Sequence, residues 1–428
     1  MSSIINRLSE YVANQIAAGE VVVGPYSVVK ELMENAIDAG AELVIVSVKG
    51  AGSNVIQVVD DGKGMSADDA VKCFERHATS KISDINDIYS LATFGFRGEA
   101  LASIAAVAEV ELMTRREEDE VGTKVSIAGG RLIEQVPEAT AKGTQFIVRN
   151  LFYNVPARRN FLKSPRSELR NITQEFERIA LCYPRISFFL YSDDERLYNL
   201  PAGNLRKRVL DITGRNVNNA LLELYIESPL VEIRGYIGKP ETAKKNSPRF
   251  MFVNGRYFYE PYLNKAIQQA YDKLLPSGSQ LPPFFLYFTV DPASIDVNIS
   301  PSKTQVKFDN LQAMFQIVLC AVRESLAKNG IAPMIDFDAG AGIEIPMSTG
   351  EGVEMPAIEL TSGGYFNPFD ENFSFAKAVE GHDDSFRTNI SNLPPAHAST
   401  PRAEGDDGFV EFEAEAPGDS VISKAAGG

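Results

Sequence analysis

Between Ser27 and Asp38 the chain reads Ser-Val-Val-Lys-Glu-Leu-Met-Glu-Asn-Ala-Ile-Asp, and this helical pattern constrains everything around it. At about 100° per residue, Val29, Leu32, Met33, Ala36 and Ile37 form one apolar side that must be buried against another element. Leu43 to Lys49 and Val55 to Val59 are β-rich runs joined by Gly50-Ala-Gly-Ser-Asn54, which predicts an antiparallel hairpin. Helix and strand signals in one block place the chain in the α+β class. Opposite the apolar side, Glu31, Asn35 and Asp38 fall within an arc of ~60°, so a carboxylate stands one turn from an amide. Such a pair can serve as a general base for water and an oxygen ligand for Mg²⁺. The same stripe, widened by Lys30 and Glu34, is also what the solvated face of an ordinary amphipathic helix shows.

The remainder alternates helix and strand signals as far as residue 330. A short helical arm runs over residues 4 to 23, with Gly19 as its stop. The second β run ends in Asp60-Asp-Gly62-Lys-Gly64, either an ordinary turn or a place where a ligand approaches bare backbone. Ser66 to Arg76 predicts a helix. Weakly periodic residues to Phe94 have the character of a lid, closed by Gly95-Phe96-Arg97-Gly98-Glu99 before a small-residue helix. Glycines at that helix start leave N–H groups for an anion or for plain capping. Strands follow at 109–114, 122–128, 131–136 and 144–149, then a helix at 166–182 and a strand at 186–191. These make one α+β block, residues 1 to 205. A second block, 206 to 330, starts with the basic helix Leu205-Arg-Lys-Arg208 and contains the Asn254-Gly255 hairpin, a helix at 261–275 and a last helix at 311–328.

Charge is informative only once it is divided. Of the net −15, residues 331 to 428 hold 18 acids and 4 bases, leaving the first 330 near −1. That tail has no apolar periodicity and reads as a disordered acidic linker. In the first block, Arg158, Arg159, Lys163, Arg166 and Arg170 are spaced to line a phosphate-binding groove or a solvated face. Cys73, Cys182 and Cys320 stand singly, as in a reducing compartment. With no signal peptide and no apolar run of membrane-spanning length, the expectation is a soluble cytoplasmic protein, associated with the nucleoid if bacterial.

No G-x-x-x-x-G-K-[ST] occurs, and no G-x-G-x-x-G follows a strand. In order, however, Glu31 with Asn35, the Asp60 turn, the Gly95–Glu99 loop and Gly143-Thr144 resemble the four ATP-site motifs shared by gyrase, heat-shock chaperone ATPases, histidine kinases and MutL. Ile16-Ala-Ala-Gly-Glu-Val-Val22, Arg76-His-Ala-Thr-Ser-Lys81, Gly95-Phe-Arg-Gly-Glu-Ala-Leu101, Val253-Asn-Gly-Arg256 and Asp296-Val-Asn-Ile-Ser-Pro-Ser-Lys303 narrow the resemblance to the MutL family of mismatch-repair ATPases.

The resemblance spans residues 4 to 329. It implies a Bergerat-type ATP-binding α/β sandwich with a left-handed βαβ unit, then a ribosomal-protein-like second domain. It implies Glu31 as general base, Asn35 as Mg²⁺ ligand, and Asp60 as acceptor for the adenine amino group, with Gly62 and Gly64 admitting the base. Asp38 belongs to the same motif. Thr79, Ser80 and Lys81 with Gly95, Phe96, Arg97 and Gly98 would enclose the triphosphate, Thr144 would support the adenine pocket, and Lys303 would reach the γ-phosphate. Ser300 and Asp61 depart from residues frequent in the family.

The implied activity is slow Mg²⁺-dependent ATP hydrolysis that drives N-terminal dimerisation and a DNA clamp. Its partners would be DNA, the mismatch-recognition protein MutS, a repair nuclease or helicase, and a second copy. No membrane is involved. The carboxy-terminal dimerisation module and an Asp-Gln-His-Ala type metal motif are not found in the sequence. A nucleotide-independent DNA clamp and a gyrase- or chaperone-like ATPase are the competing readings.

Overall fold

The register of the sheet decides which side chains meet. The computed structural model describes residues 9–80, 98–276, 278–296 and 305–331, all within one unit, Met1–Ala341. The expected acidic tail lies outside them, apart from Ile331.

Helices α1 (Glu10–Val21) and α2 (Pro25–Asp38) precede the hairpin of β1 (Leu43–Lys49) and β2 (Val55–Asp60), which pairs antiparallel as expected. The strands alternate half-buried and buried positions, the period-2 pattern of a sheet with one face on a core. A short α3 (Ala67–Lys72) follows, ending before the expected Arg76. There the chain tightens into three-residue turns, with Phe74 N–H donating to the Val71 carbonyl, and His77 adopts φ +64°. Beyond it come α4 (Ala100–Val107), β3 (Glu109–Arg115), β4 (Gly122–Ala128), β5 (Arg131–Glu138), β6 (Gly143–Arg149), α5 (Pro156–Asn160), α6 (Pro165–Cys182), β7 (Ser187–Ser192) and β8 (Glu195–Leu200).

These strands form one eight-stranded sheet in the order β5-β4-β3-β6-β2-β1-β7-β8. Pairing is antiparallel except between β1 and β7. Buried Val28, Val29, Leu32, Met33 and Ala36 from α2 and Ile172, Phe176 and Ile179 from α6 share one core with Val44, Val46, Ile56 and Val58. The helix face predicted apolar is therefore the packed face, with Val28 added and Ile37 only half-buried.

The second half comprises α7 (Leu205–Thr213), β9 (Leu221–Glu227), β10 (Glu232–Gly238), β11 (Arg249–Val253), β12 (Arg256–Phe258), α8 (Pro261–Tyr271), β13 (Phe284–Thr289), the pair β14 (Ile295–Asp296) and β15 (Lys307–Phe308), and α9 (Leu311–Lys328). A five-stranded sheet runs β12-β11-β13-β10-β9 and has its own core under α8 and α9. Helix α8 stops at Tyr271 rather than 275, in a turn where Leu274 and Leu275 both donate to the Tyr271 carbonyl. A smaller apolar cluster, including Leu181, Val209, Phe250, Phe252 and Phe285, joins α6 and α7 to the second sheet. Among the described residues no helix is long and apolar enough to cross a membrane.

The basic helix α7 holds one cation that is not solvated. Arg208 is 1% exposed and donates to six carbonyls, those of Ala180, Tyr183, Pro184, Ile186, Leu200 and Pro201. It ties α7 to the end of α6 and to the β7–β8 edge. Burial lowers its guanidinium to about 10, so it stays charged at neutral pH. Arg208→Met leaves those carbonyls buried without a donor. Urea unfolding should show a loss of at least about 3 kcal/mol; an unchanged midpoint would mean that water replaces the arginine freely.

Candidate nucleotide site

The middle of the large sheet gathers a buried polar cluster by register alone. Strand β6 lies between β3 and β2, and pairs its Thr144 with Thr114 on one side and Asp60 on the other. All three side chains are buried. The Thr114 and Thr144 hydroxyls lie 3.2 Å apart, and Thr114 Oγ1 donates to the Gly143 carbonyl and accepts from Met65 N–H, both at 3.0 Å. Asp60 Oδ1 accepts from Gly62 N–H at 2.9 Å.

The turn after β2 is held against this sheet end by backbone contacts that only glycine permits. Gly64 has φ +68°, and a Cβ there would sit 2.2 Å from the Arg115 carbonyl oxygen. Gly143 has φ +114°, and its Cβ would meet the Asp60 carbonyl at 2.0 Å. Asp61, exposed, accepts from the N–H groups of Glu42 and Leu43 at 2.8 and 2.9 Å, and Lys63 N–H donates to Ala39 O. The turn is thus bolted to the end of α2, and so to the helix that carries Glu31, Asn35 and Asp38. Those three are half-buried. Asp61, a departure from the family pattern, serves here as the cap of β1.

Beside Glu31 lies a cation whose role the sequence did not reveal. Lys30 Nζ is 3.5 Å from Glu31 Oε1 and 3.3 Å from Glu34 Oε1. Burial pulls this ammonium down, but Glu34, Glu31 and Glu175 outweigh it and leave its pKa raised. Thr114 was missed as well, because nothing in Met113-Thr114-Arg115 marks it until the strand pairing is known.

The lid motifs are partly in view. Gly98, φ +61°, lies so close to Ala78 that a Cβ would stand 2.4 Å from its carbonyl oxygen, and His77 N–H donates to Gly98 O at 3.0 Å. The run containing Thr79 and Ser80 is therefore back to back with the residues that open α4. Lys81, Gly95, Phe96, Arg97 and Lys303 fall outside the described residues. Of the five bases expected in a groove, Arg159, Lys163, Arg166 and Arg170 are exposed, whereas Arg158 turns inward onto carbonyls of α1 and its end.

Comparison with known proteins agrees with this geometry. Residues 23–143 match the family model described as histidine kinase-, DNA gyrase B- and HSP90-like ATPase, and 209–327 that described as DNA mismatch repair protein, C-terminal domain. The DNA mismatch repair protein MutL of Parabacteroides distasonis is 51% identical over 396 residues, covering 90% of this chain and 64% of its own length. MutL of Christiangramia forsetii is 45% identical over 425 residues, covering 97% of this chain and 68% of its own. The chain thus spans about two thirds of the length of these relatives. A crystal structure described as the N-terminal domain of a DNA repair protein shares the fold, with TM-score 0.63 at 22% identity, covering 75% of this chain and 99% of that one.

Burial raises the Asp60 carboxyl from the ordinary aspartate range to about 6, with Asp61 adding to the rise and the Gly62 and Thr144 backbone hydrogen bonds opposing it. Without ligand, the folded protein holds this proton to about pH 6, while the unfolded chain releases it near 4. The folded state therefore binds more protons between those values, so this group makes stability fall as pH rises from about 4 to 6. Asp60→Asn removes the decline. Urea titrations should show the variant gaining on the native protein by on the order of 3 kcal/mol between pH 4 and 7; parallel stability curves would contradict the buried-carboxylate account.

Proposed function

The chain belongs to the MutL family of DNA mismatch repair proteins, and from that premise we propose that it is a slow, Mg²⁺-dependent ATPase whose nucleotide cycle closes a clamp on DNA. The observation that carries this reading is the shared anchoring of two parts. A buried acceptor carboxylate, Asp60, sits at a strand end beside the Thr114 and Thr144 hydroxyls, and its turn is hydrogen-bonded to the end of the helix bearing Glu31 and Asn35.

The donor set fits a purine. Asp60 offers an acceptor to an exocyclic amino group, the threonine hydroxyls can donate or accept, and Gly62 and Gly64 carry no side chain against the ring. One helical turn further, Asn35 offers a single amide oxygen to a hard cation. Among the described residues no three His, Cys, Asp or Glu side chains cluster as a metal cage, so Mg²⁺ would be held largely by the phosphates themselves. Bound there, Mg²⁺ neutralises charge on the phosphoryl oxygens. Glu31 orients and deprotonates the attacking water, and Lys30 places a positive charge beside that carboxylate. Phosphoryl transfer needs little more than this positioning. Resemblance to the family assigns the triphosphate to Thr79, Ser80 and Lys81 with Gly95 to Gly98, and its γ-phosphate to Lys303; of these, Thr79, Ser80 and Gly98 are among the described residues.

Because Lys303 belongs to the second half of the chain, ATP and ADP differ by a contact between the two halves. That difference lets ATP favour a closed, dimeric state. Arg159, Lys163, Arg166 and Arg170 meet DNA phosphates, and Phe161, 86% exposed among them, is placed to stack on a base. In the cell the clamp would pass the signal of a MutS-type recognition protein to a nuclease or helicase.

Glu31→Ala should retain ATP binding and lose turnover by on the order of 10²-fold or more, while Asn35→Ala should lose the Mg²⁺ dependence of binding. Hydrolysis assays and binding isotherms on both variants decide the matter. Undiminished hydrolysis in Glu31→Ala would remove the assigned base, and DNA binding indifferent to ATP would favour a nucleotide-independent clamp.

A further inference from the structure

One cation of the basic run does something other than face solvent. From α5, Arg158 Nη1 donates to the Val22 carbonyl at 3.0 Å and Nη2 to the Gly19 carbonyl at 2.6 Å, while its guanidinium lies 5.6 Å from the centre of the Phe152 ring. Both carbonyls belong to the C-terminal end of α1, where orphan oxygens and the helix dipole favour a positive charge. Gly19 is what permits the approach. A Cβ at that position would stand 2.2 Å from Nη2 and 2.8 Å from Cζ of Arg158. A glycine inside a helix is disfavoured against alanine, so its presence needs a reason, and this contact supplies one.

The contact closes a ring of elements. The turn before α5 is fixed to the end of α4, because Phe152 N–H donates to the Val107 carbonyl and Asn154 Nδ2 to the Ala106 carbonyl, both at 2.8 Å. Helix α1 packs on α4. Immediately after Val22, the Ser27 hydroxyl accepts from the N–H groups of Val23 and Gly24 and donates to Gly24 O, which sets the start of α2. Arg158 therefore joins two corners: α1–α2, which leads to Glu31 and Asn35, and α4–α5, which begins at Gly98 and Glu99.

We propose that Arg158 is a positioning residue of the nucleotide site, a clasp that holds the Glu31 helix and the helix following the phosphate loop as one body. The proposal rests on the ATPase reading above. It also takes Arg158 out of the DNA surface, since a half-buried guanidinium whose Nη1 and Nη2 are turned onto the α1 carbonyls does not present that fork to a phosphate.

The test compares ATP turnover, ATP-analogue binding, DNA affinity at fixed salt and apo thermal unfolding in the full chain, Arg158→Ala, Gly19→Ala, the double variant and Arg158→Lys. Displacement of a catalytic group by about 1 Å costs up to roughly 10²-fold in rate. Arg158→Ala and Gly19→Ala should each lower kcat by about tenfold or more with KM little changed. The double variant should be no slower than the slower single, because both changes break one contact. DNA affinity should not move. Arg158→Lys, which keeps the charge and loses the fork, should also be slow, and it carries the test if the alanine variant does not fold. Equal kcat in native protein and folded Arg158 variants overturns the proposal, as do multiplying defects in the double variant or a loss of DNA affinity. A native chain that hydrolyses no ATP would instead overturn the reading beneath it.

Discussion

The structure depends on close backbone packing at one end of the large sheet. The turn after β2 and the start of β6 lie against neighbouring backbone at distances that leave no room for a Cβ at Gly64 or Gly143. That packing brings a carboxylate, Asp60, into a buried position where it is costly in the ionised form. A fold that retains such a cost without an obvious packing benefit is one that uses the group. The threonines on the adjacent strands have no freedom to be elsewhere, because the β3-β6-β2 pairing sets them side by side. The same turn is hydrogen-bonded to the end of α2, so the Asp60 cluster and the helix bearing Glu31 and Asn35 are positioned by one set of contacts.

Coupling between the two sheets has a similarly local basis. Aromatic residues Phe250, Phe252, Phe285 and Tyr287 present an apolar surface to the first half, and Tyr287 donates its hydroxyl to the Leu181 carbonyl at 3.0 Å. Arg178 of α6, paired with Glu175, stacks on Tyr257 of β12 at 3.9 Å from the ring centre. Glu175 also contributes to the field at Lys30, beside Glu31. Helix α6 is thus in electrostatic contact with the helix bearing Glu31 on one side and the second sheet on the other.

Much of this was legible in the sequence, for identifiable reasons. The β1–β2 hairpin and α2 followed from clean periodicity, and α9 matched its expected bounds because its apolar positions repeat without interruption. Strand β8 was missed since its turn is made by Asp193 and Asp194, both at positive φ without glycine, and most of its residues are exposed. Arg158 read as part of a phosphate-binding groove or a solvated face, and Arg208 as part of a basic helix, because a guanidinium that satisfies backbone carbonyls of other elements leaves no local trace. Gly19 was read as a helix stop, whereas the helix continues to Val21 and the glycine makes room for Arg158. Propensity describes neighbours in sequence, whereas the Arg158 contacts join residues more than a hundred positions apart and those of Arg208 reach back as far as Ala180.

Adenine bound at the Asp60 sheet end would be read by an acceptor carboxylate. Equilibrium binding of ATP and inosine triphosphate to the native protein, in the same buffer and Mg²⁺, tests this directly, because the 6-amino donor of adenine becomes a 6-oxo acceptor in hypoxanthine, with a proton gained only at the neighbouring N1. A buried carboxylate left facing an acceptor costs at least about tenfold in affinity and up to roughly a hundredfold or more. The account predicts that preference for ATP, and equal affinities would contradict it.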